Sequence, residues 1–126
     1  RGGYFTSLVH PASIISPNTE YGEGIIICQF VNISCDCRFR NFVTFQPFTE
    51  IGHDVTIGDY GQLNVNSFVG GFVKIGNFVT IHTGAKVLPR LNIRDHSVIG
   101  AGSVVTKNFP EGCTVFGNPA KVIFTE

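Results

Sequence analysis

Residues Ile51–Tyr60 read IGHDVTIGDY, and one unit is written there twice. Ile51-Gly52-His53-Asp54-Val55-Thr56 is followed directly by Ile57-Gly58-Asp59-Tyr60-Gly61-Gln62: an aliphatic residue, a glycine, two polar or bulky residues, then a small or β-branched one. The period is six. Carried outward without a skip, the register lands on Val9, Ile15, Tyr21, Ile27, Ile33, Phe39, Phe45, Ile51, Ile57, Leu63, Val69, Ile75, Ile81, Val87, Ile93 and Ile99. All are apolar, in a chain that is 43% hydrophobic; chance would give such a ladder roughly once in a million registers.

Four residues beyond each ladder position lies a second set, including Cys37, Val43, Thr49, Val55, Ser67, Val79 and Ser103, nearly all no larger than valine. Glycine follows the ladder residue at Gly22, Gly52, Gly58, Gly70, Gly76 and Gly100, where a tight corner is expected to need positive φ. A large inward residue, a corner and a small inward residue in every unit describe very short strands wound round a narrow core. No helical face survives this period, and alternation is broken too regularly for a flat sheet. A solenoid remains, its rungs stacked at about 4.8 Å, each burying the ladder residues of the next.

The hexad [Ile/Val/Leu]-Gly-x-x-[Ser/Thr/Ala/Val]-x resembles that of the hexapeptide-repeat acyltransferases. The stretches HPASIISPN, GHDVTIGDY, GAKVLP, IGAGSVVTK and GNPAKVI are similar to the sugar acetyltransferases of the sialic acid O-acetyltransferase and UDP-amino-sugar N-acetyltransferase type. The likeness runs from Val9 to Ile123. It implies an all-β fold, a left-handed parallel β-helix with three hexads per turn, and acetyl-CoA as co-substrate. That handedness opposes the usual right-handed crossover and rests on the resemblance alone. The coil is expected over residues 9–104, about five turns, with residues 105–126 as a C-terminal cap and coenzyme-side tail. Residues 1–8 are expected to end an N-terminal domain of the nucleotide-sugar-binding kind that members of this subgroup carry, since the sequence opens at Arg1 and holds no methionine.

The 126 residues make one elongated domain. Nine Lys and Arg balance nine Asp and Glu, which is no basic surface for nucleic acid. No apolar run approaches membrane-spanning length, and with no signal peptide pattern a cytoplasmic protein is expected. Of Cys28, Cys35, Cys37 and Cys113, Cys37 falls on an inward position and Cys35 on an outward one, so the C-x-C pair is read as free thiols and not as a metal or disulfide site. No hexad from Val9 to Val104 holds an insertion, so no loop covers a site and one must be made from corners, termini or a neighbouring subunit. Phe42, Tyr60 and Phe78, like Phe30 and Phe48, recur at eighteen residues on outward positions, which fits rungs stacking on one another or a subunit interface.

His53 sits two residues past Ile51, on an outward corner, with Cys35 one turn below and Gly71 one turn above. By spacing alone this is a solvated histidine. The resemblance implies more, because the family's general base is the histidine of a His-Asp or His-Glu pair just before the I-G-[Asp/Glu] hexad, and H-D-V-T-I-G-D aligns without a gap. Neutral imidazole accepts a proton from an attacking amine or hydroxyl, and the tetrahedral oxyanion formed from a thioester needs an N–H donor. Gly71 stands where the family uses a backbone amide for this. Gly52 replaces the acid that often precedes the base, so the orienting group is Asp54, Glu50 or one from elsewhere; Gln62 replaces a frequent second histidine and can donate to the acetyl carbonyl.

The function implied is acetyl transfer from acetyl-CoA to an amino or hydroxyl group of a nucleotide-linked or acidic sugar, by a homotrimer with sites between coils. The column through His53 and Gly71 passes Pro89 to Lys107, about 14 Å up the same edge. Lys107 and Lys121 are the cations expected near the coenzyme phosphates. The alternatives are a non-catalytic binding or scaffold solenoid, a Cys35–His53 nucleophile, and a zinc site, for which His10, His53, His82 and His96 lack suitable spacing.

Overall fold

A computed structural model describes residues 3–125. Residues 1 and 2 of the lead-in and residue 126 of the tail lie outside it. Each ladder residue and the residue before it form a two-residue strand, as in Glu50–Ile51, Thr56–Ile57 and Gln62–Leu63. Each strand pairs in parallel with those eighteen residues before and after: Gln62 faces Thr44 and Thr80, Phe68 faces Glu50 and Lys86, Lys74 faces Thr56 and Asn92. Three hexads therefore close one turn of a parallel β-helix with three flat faces. The first face starts at Leu8–Val9, the second at Ile14–Ile15 and the third at Glu20–Tyr21.

The core follows the ladder. From Ile27 to Ile99 every ladder residue is at most 4% exposed, and Val105 extends the series. Val9 and Tyr21 are about 40% exposed because no described rung lies beneath them. The small inward set fills the corners, and the hydroxyls of Ser13, Thr19 and Thr49 donate to the carbonyl three residues back, Thr49 to Gln46 at 2.8 Å.

The corners correct one expectation. The glycines after the ladder residues are not in the left-handed region; the positive φ falls two positions later, at Phe42, Phe48, Asp54, Tyr60, Phe72, Phe78 and Arg90 among others, all between 56° and 68°. Those glycines are needed for space. A Cβ on Gly58 would lie 2.3 Å from Asn77 Oδ1, and one on Gly52 would lie 2.6 Å from the Gly71 nitrogen. The rung above rests directly on the bare backbone.

Beyond Val104–Val105 the chain does not simply lose its register. Cys113–Gly117 rejoins the first face beside Val98–Ile99, Val115 facing Ile99, and Ala120–Thr125 folds back against it as an antiparallel strand. The first face thus has eight strands, the second six and the third five.

Candidate active site

His53 and Asp54 occupy the turn between the second and third faces, and Asp54 takes the left-handed conformation there, with φ 57°. That geometry places the Asp54 carboxylate 3.0 Å from His53 Nδ1. A carboxylate only accepts, so Nδ1 carries the proton and the Nε2 lone pair is left open. Glu50 is engaged elsewhere, accepting from Asn32 at 3.1 Å. Of the orienting groups named from sequence, Asp54 is the one in place.

One rung up, Gly71 makes room for the ring. A Cβ there would stand 3.0 Å from His53 Nε2 and 3.1 Å from its Cε1, so the imidazole fills the space a side chain would take. Rungs are locked by Asp54 N–H donating to Cys35 O and Phe72 N–H donating to His53 O. The Gly71 amide itself has no acceptor among the described residues. On the edge between the third and first faces the equivalent amides are satisfied: Glu23, Asn41, Asp59 and Asn77 donate in turn to the side chains of Asn41, Asp59, Asn77 and Asp95 at 2.7–3.0 Å. The edge between the first and second faces leaves Val65 and Thr83 amides open too, without His53 or any equivalent imidazole–carboxylate pair beside them. Proton acceptor and free N–H donor thus meet on the His53 edge.

Two residues not singled out from sequence complete this edge. Phe72 meets the His53 ring at 5.0 Å between centroids and 89° between planes, and the Arg90 guanidinium lies 4.5 Å over the Phe72 ring. Counting eighteen from Asp54 reaches Phe72 and then Arg90, so their placement was readable from the period. Below His53, a groove of about 600 Å³ is lined by Asn18, Glu20, Asp36, Arg38, Asp54 and Thr56. The edge is acidic below the imidazole and basic above it.

Cys35 lies in this acidic part. Its thiol is pushed above the ordinary range by a hydrogen bond to Asp36, then by desolvation and the Asp36 and Asp54 charges, the reverse of what an attacking thiolate requires. Lys107 lies two residues past Val104–Val105 on the His53 edge, exposed, its ammonium 5.8 Å from the Phe109 ring. Gln62 and Lys121 stand elsewhere: both belong to the first face, which lies opposite the His53 edge, and both are exposed. Within one chain they do not approach His53. No group of three or more His, Cys, Asp or Glu suited to a metal ion occurs among the described residues.

Residues 72–107 match the family model for bacterial transferase hexapeptide repeats (six repeats). The chain is 36% identical over 121 residues to a GDP-perosamine N-acetyltransferase of Escherichia coli O157:H7, covering 91% of this chain and 54% of that protein. It is 38% identical over 118 residues to a serine acetyltransferase of Synechococcus elongatus, covering 87% of this chain and 42% of that protein. The chain thus spans about half the length of the curated relatives it matches. Among solved structures, a perosamine N-acetyltransferase variant from Caulobacter crescentus with CoA and GDP-perosamine superposes with a TM-score of 0.94 at 27% identity, over 96% of this chain and 58% of that one. The acetyltransferase domain of PglB from Neisseria gonorrhoeae gives 0.95 at 25% identity, over 97% and 60%. The coil has the left-handed β-helix fold of these acetyltransferases, as the resemblance implied. The repeat first read at Ile51–Tyr60 is the hexapeptide repeat of this family model, and the chain shares it with the acetyltransferases it resembles.

Proposed function

We propose that this β-helix catalyses transfer of an acetyl group from acetyl-CoA to the amino group of a nucleotide-linked sugar, with His53 as general base. The observation that carries this is the joint placement of His53 Nε2, freed by the Nδ1 contact to Asp54, and the unpaired Gly71 amide one rung above. The two relatives that bind or act on perosamine bring the amino-sugar class to the reading.

The neutral amine attacks the thioester carbonyl while Nε2 takes the amine proton. The carbonyl oxygen becomes an oxyanion, which the Gly71 N–H stabilises. Collapse breaks the C–S bond, and the imidazolium returns the proton to the departing CoA thiolate. Asp54 fixes the tautomer and offsets the transient positive charge. The coenzyme arm runs up the His53 edge, its phosphates toward Arg90 and Lys107, while the amino group of the acceptor approaches from the side of Asp36 and Asp54. Gln62 and Lys121, on the far face of the same coil, serve the site of an adjacent copy in a homotrimer.

The test is a thiol-release assay with acetyl-CoA against nucleotide-linked amino sugars, sialic acid and serine, using the full-length protein. Turnover with an amino sugar at least tenfold above the others is expected. Turnover confined to hydroxyl acceptors overturns the amine assignment, and none with any acceptor, together with no acetyl-CoA binding, favours a non-catalytic solenoid.

A further inference from the structure

Phe72 is out of pattern. At the same corner position on the other edges, aromatic residues stack nearly parallel on one another, as Phe42 on Tyr60 at 5.1 Å and 13°, and Tyr60 on Phe78 at 5.2 Å and 7°. On the His53 edge the corresponding neighbours are Asp54 below and Arg90 above, so Phe72 has no ring of its own column to stack on. It is nevertheless a bulky residue in the left-handed region, φ 60°, and 42% exposed. Its ring instead meets the imidazole of the preceding corner position at right angles, and the Arg90 guanidinium bears on its π system.

His53 is otherwise poorly restrained. Its side chain is 53% exposed, its single hydrogen-bonding side-chain partner is Asp54, itself 41% exposed, and Gly71 offers a gap with no atoms to grip the ring. A half-exposed imidazole held by one hydrogen bond would turn about its χ angles and lose its alignment with the Gly71 amide. We infer that Phe72 is the positioning residue of the His53 imidazole, a wall that keeps Nδ1 on Asp54 and Nε2 beside Gly71, and that Arg90, lying over the Phe72 ring, anchors that wall. The inference rests on His53 being the base. The perpendicular contact is the arrangement aromatic quadrupoles favour, and guanidinium over a ring face is the usual cation–π geometry.

The experiment pairs steady-state kinetics of the full-length protein with nitrogen-15 spectra of its histidine side chains. Phe72→Ala is expected to lower kcat by 10- to 100-fold, the scale of a displaced catalytic group, with both KM values within about twofold. The His53 signals should move from a single Nδ1-protonated tautomer to an exchange average. Phe72→Tyr should restore both, and Arg90→Met should give a smaller loss in kcat together with the same shift of the His53 signals, beside the higher KM for acetyl-CoA that loss of a phosphate-side cation brings. If Phe72→Ala keeps the parent kcat and His53 spectrum, or raises only KM for acetyl-CoA, Phe72 does not position the base. Should the alanine variant fail to fold, Phe72→Leu is read the same way. His53→Ala separates the two ideas: an active His53→Ala ends the catalytic reading, whereas an inactive one beside a fully active Phe72→Ala ends only this inference.

Discussion

His53 projects from a corner and leaves half its side chain in solvent, so removing it takes little from the core. His53→Ala is therefore expected to cut acetyl transfer about a hundredfold or more while shifting Tm by no more than about 2 °C, checked by thiol release and a thermal melt. Retention of over about a tenth of the parent turnover would exclude it as the main base. At this scale, counting by eighteens from His53 found Cys35 and Gly71 correctly. It also reaches Phe72 and Arg90 from Asp54, but whether a long guanidinium folds down onto a ring depends on side-chain torsions that spacing does not encode. The open Gly71 amide was equally hidden, because it shows only when compared with the satisfied amides of the Asn41–Asp95 column.

A single corner shows why the elements were legible in outline and not in backbone detail. The left-handed conformation costs an L-residue about 1–2 kcal/mol, which suggested glycine. Here it is borne by Phe42, Tyr60 and Phe78, each in contact with two rings, and an aromatic pair contributes about 0.5–1.5 kcal/mol, so two neighbours offset the strain. Glycine is spent instead where the next rung presses on the chain. Gly58→Ala is expected to destabilise by about 1–3 kcal/mol, because its Cβ meets Gly76 backbone at 2.9 Å as well as the Asn77 side chain that accepts from Asp59. A denaturant titration measures this. Ser67 offers the opposite case: its Oγ is buried with no partner, while Thr49 one rung below bonds two carbonyls. Ser67→Ala should leave stability unchanged or raise it by up to about 1–3 kcal/mol in the same titration. The terminal hairpin escaped the sequence reading because Val115 rejoins the first face sixteen residues after Ile99, off the six-residue register.

Charge changes sign along the His53 edge of the coil, from Asp36 and Asp54 at one end to Arg90 and Lys107 at the other, and the proposed coenzyme track follows it, phosphates toward the C-terminal end. Lys107→Ala and Lys121→Ala should each raise KM for acetyl-CoA and weaken its salt dependence, leaving KM for the acceptor alone; unchanged acetyl-CoA binding in calorimetry for both would remove them from the track. Gln62 and Lys121 lie on the face opposite this edge, so the proposed function, in which both serve the site, requires two copies of the chain to complete it. Mixed oligomers test that most directly. In an equimolar, refolded mixture of His53→Ala and Gln62→Ala chains, a quarter of the sites pair an intact His53 with an intact Gln62 from the next copy, so turnover should recover to about a quarter of the parent value although each variant alone falls far below it. If Gln62 served the site of its own chain, no mixture could hold an intact site, and turnover no higher than the average of the two separate variants would contradict the account.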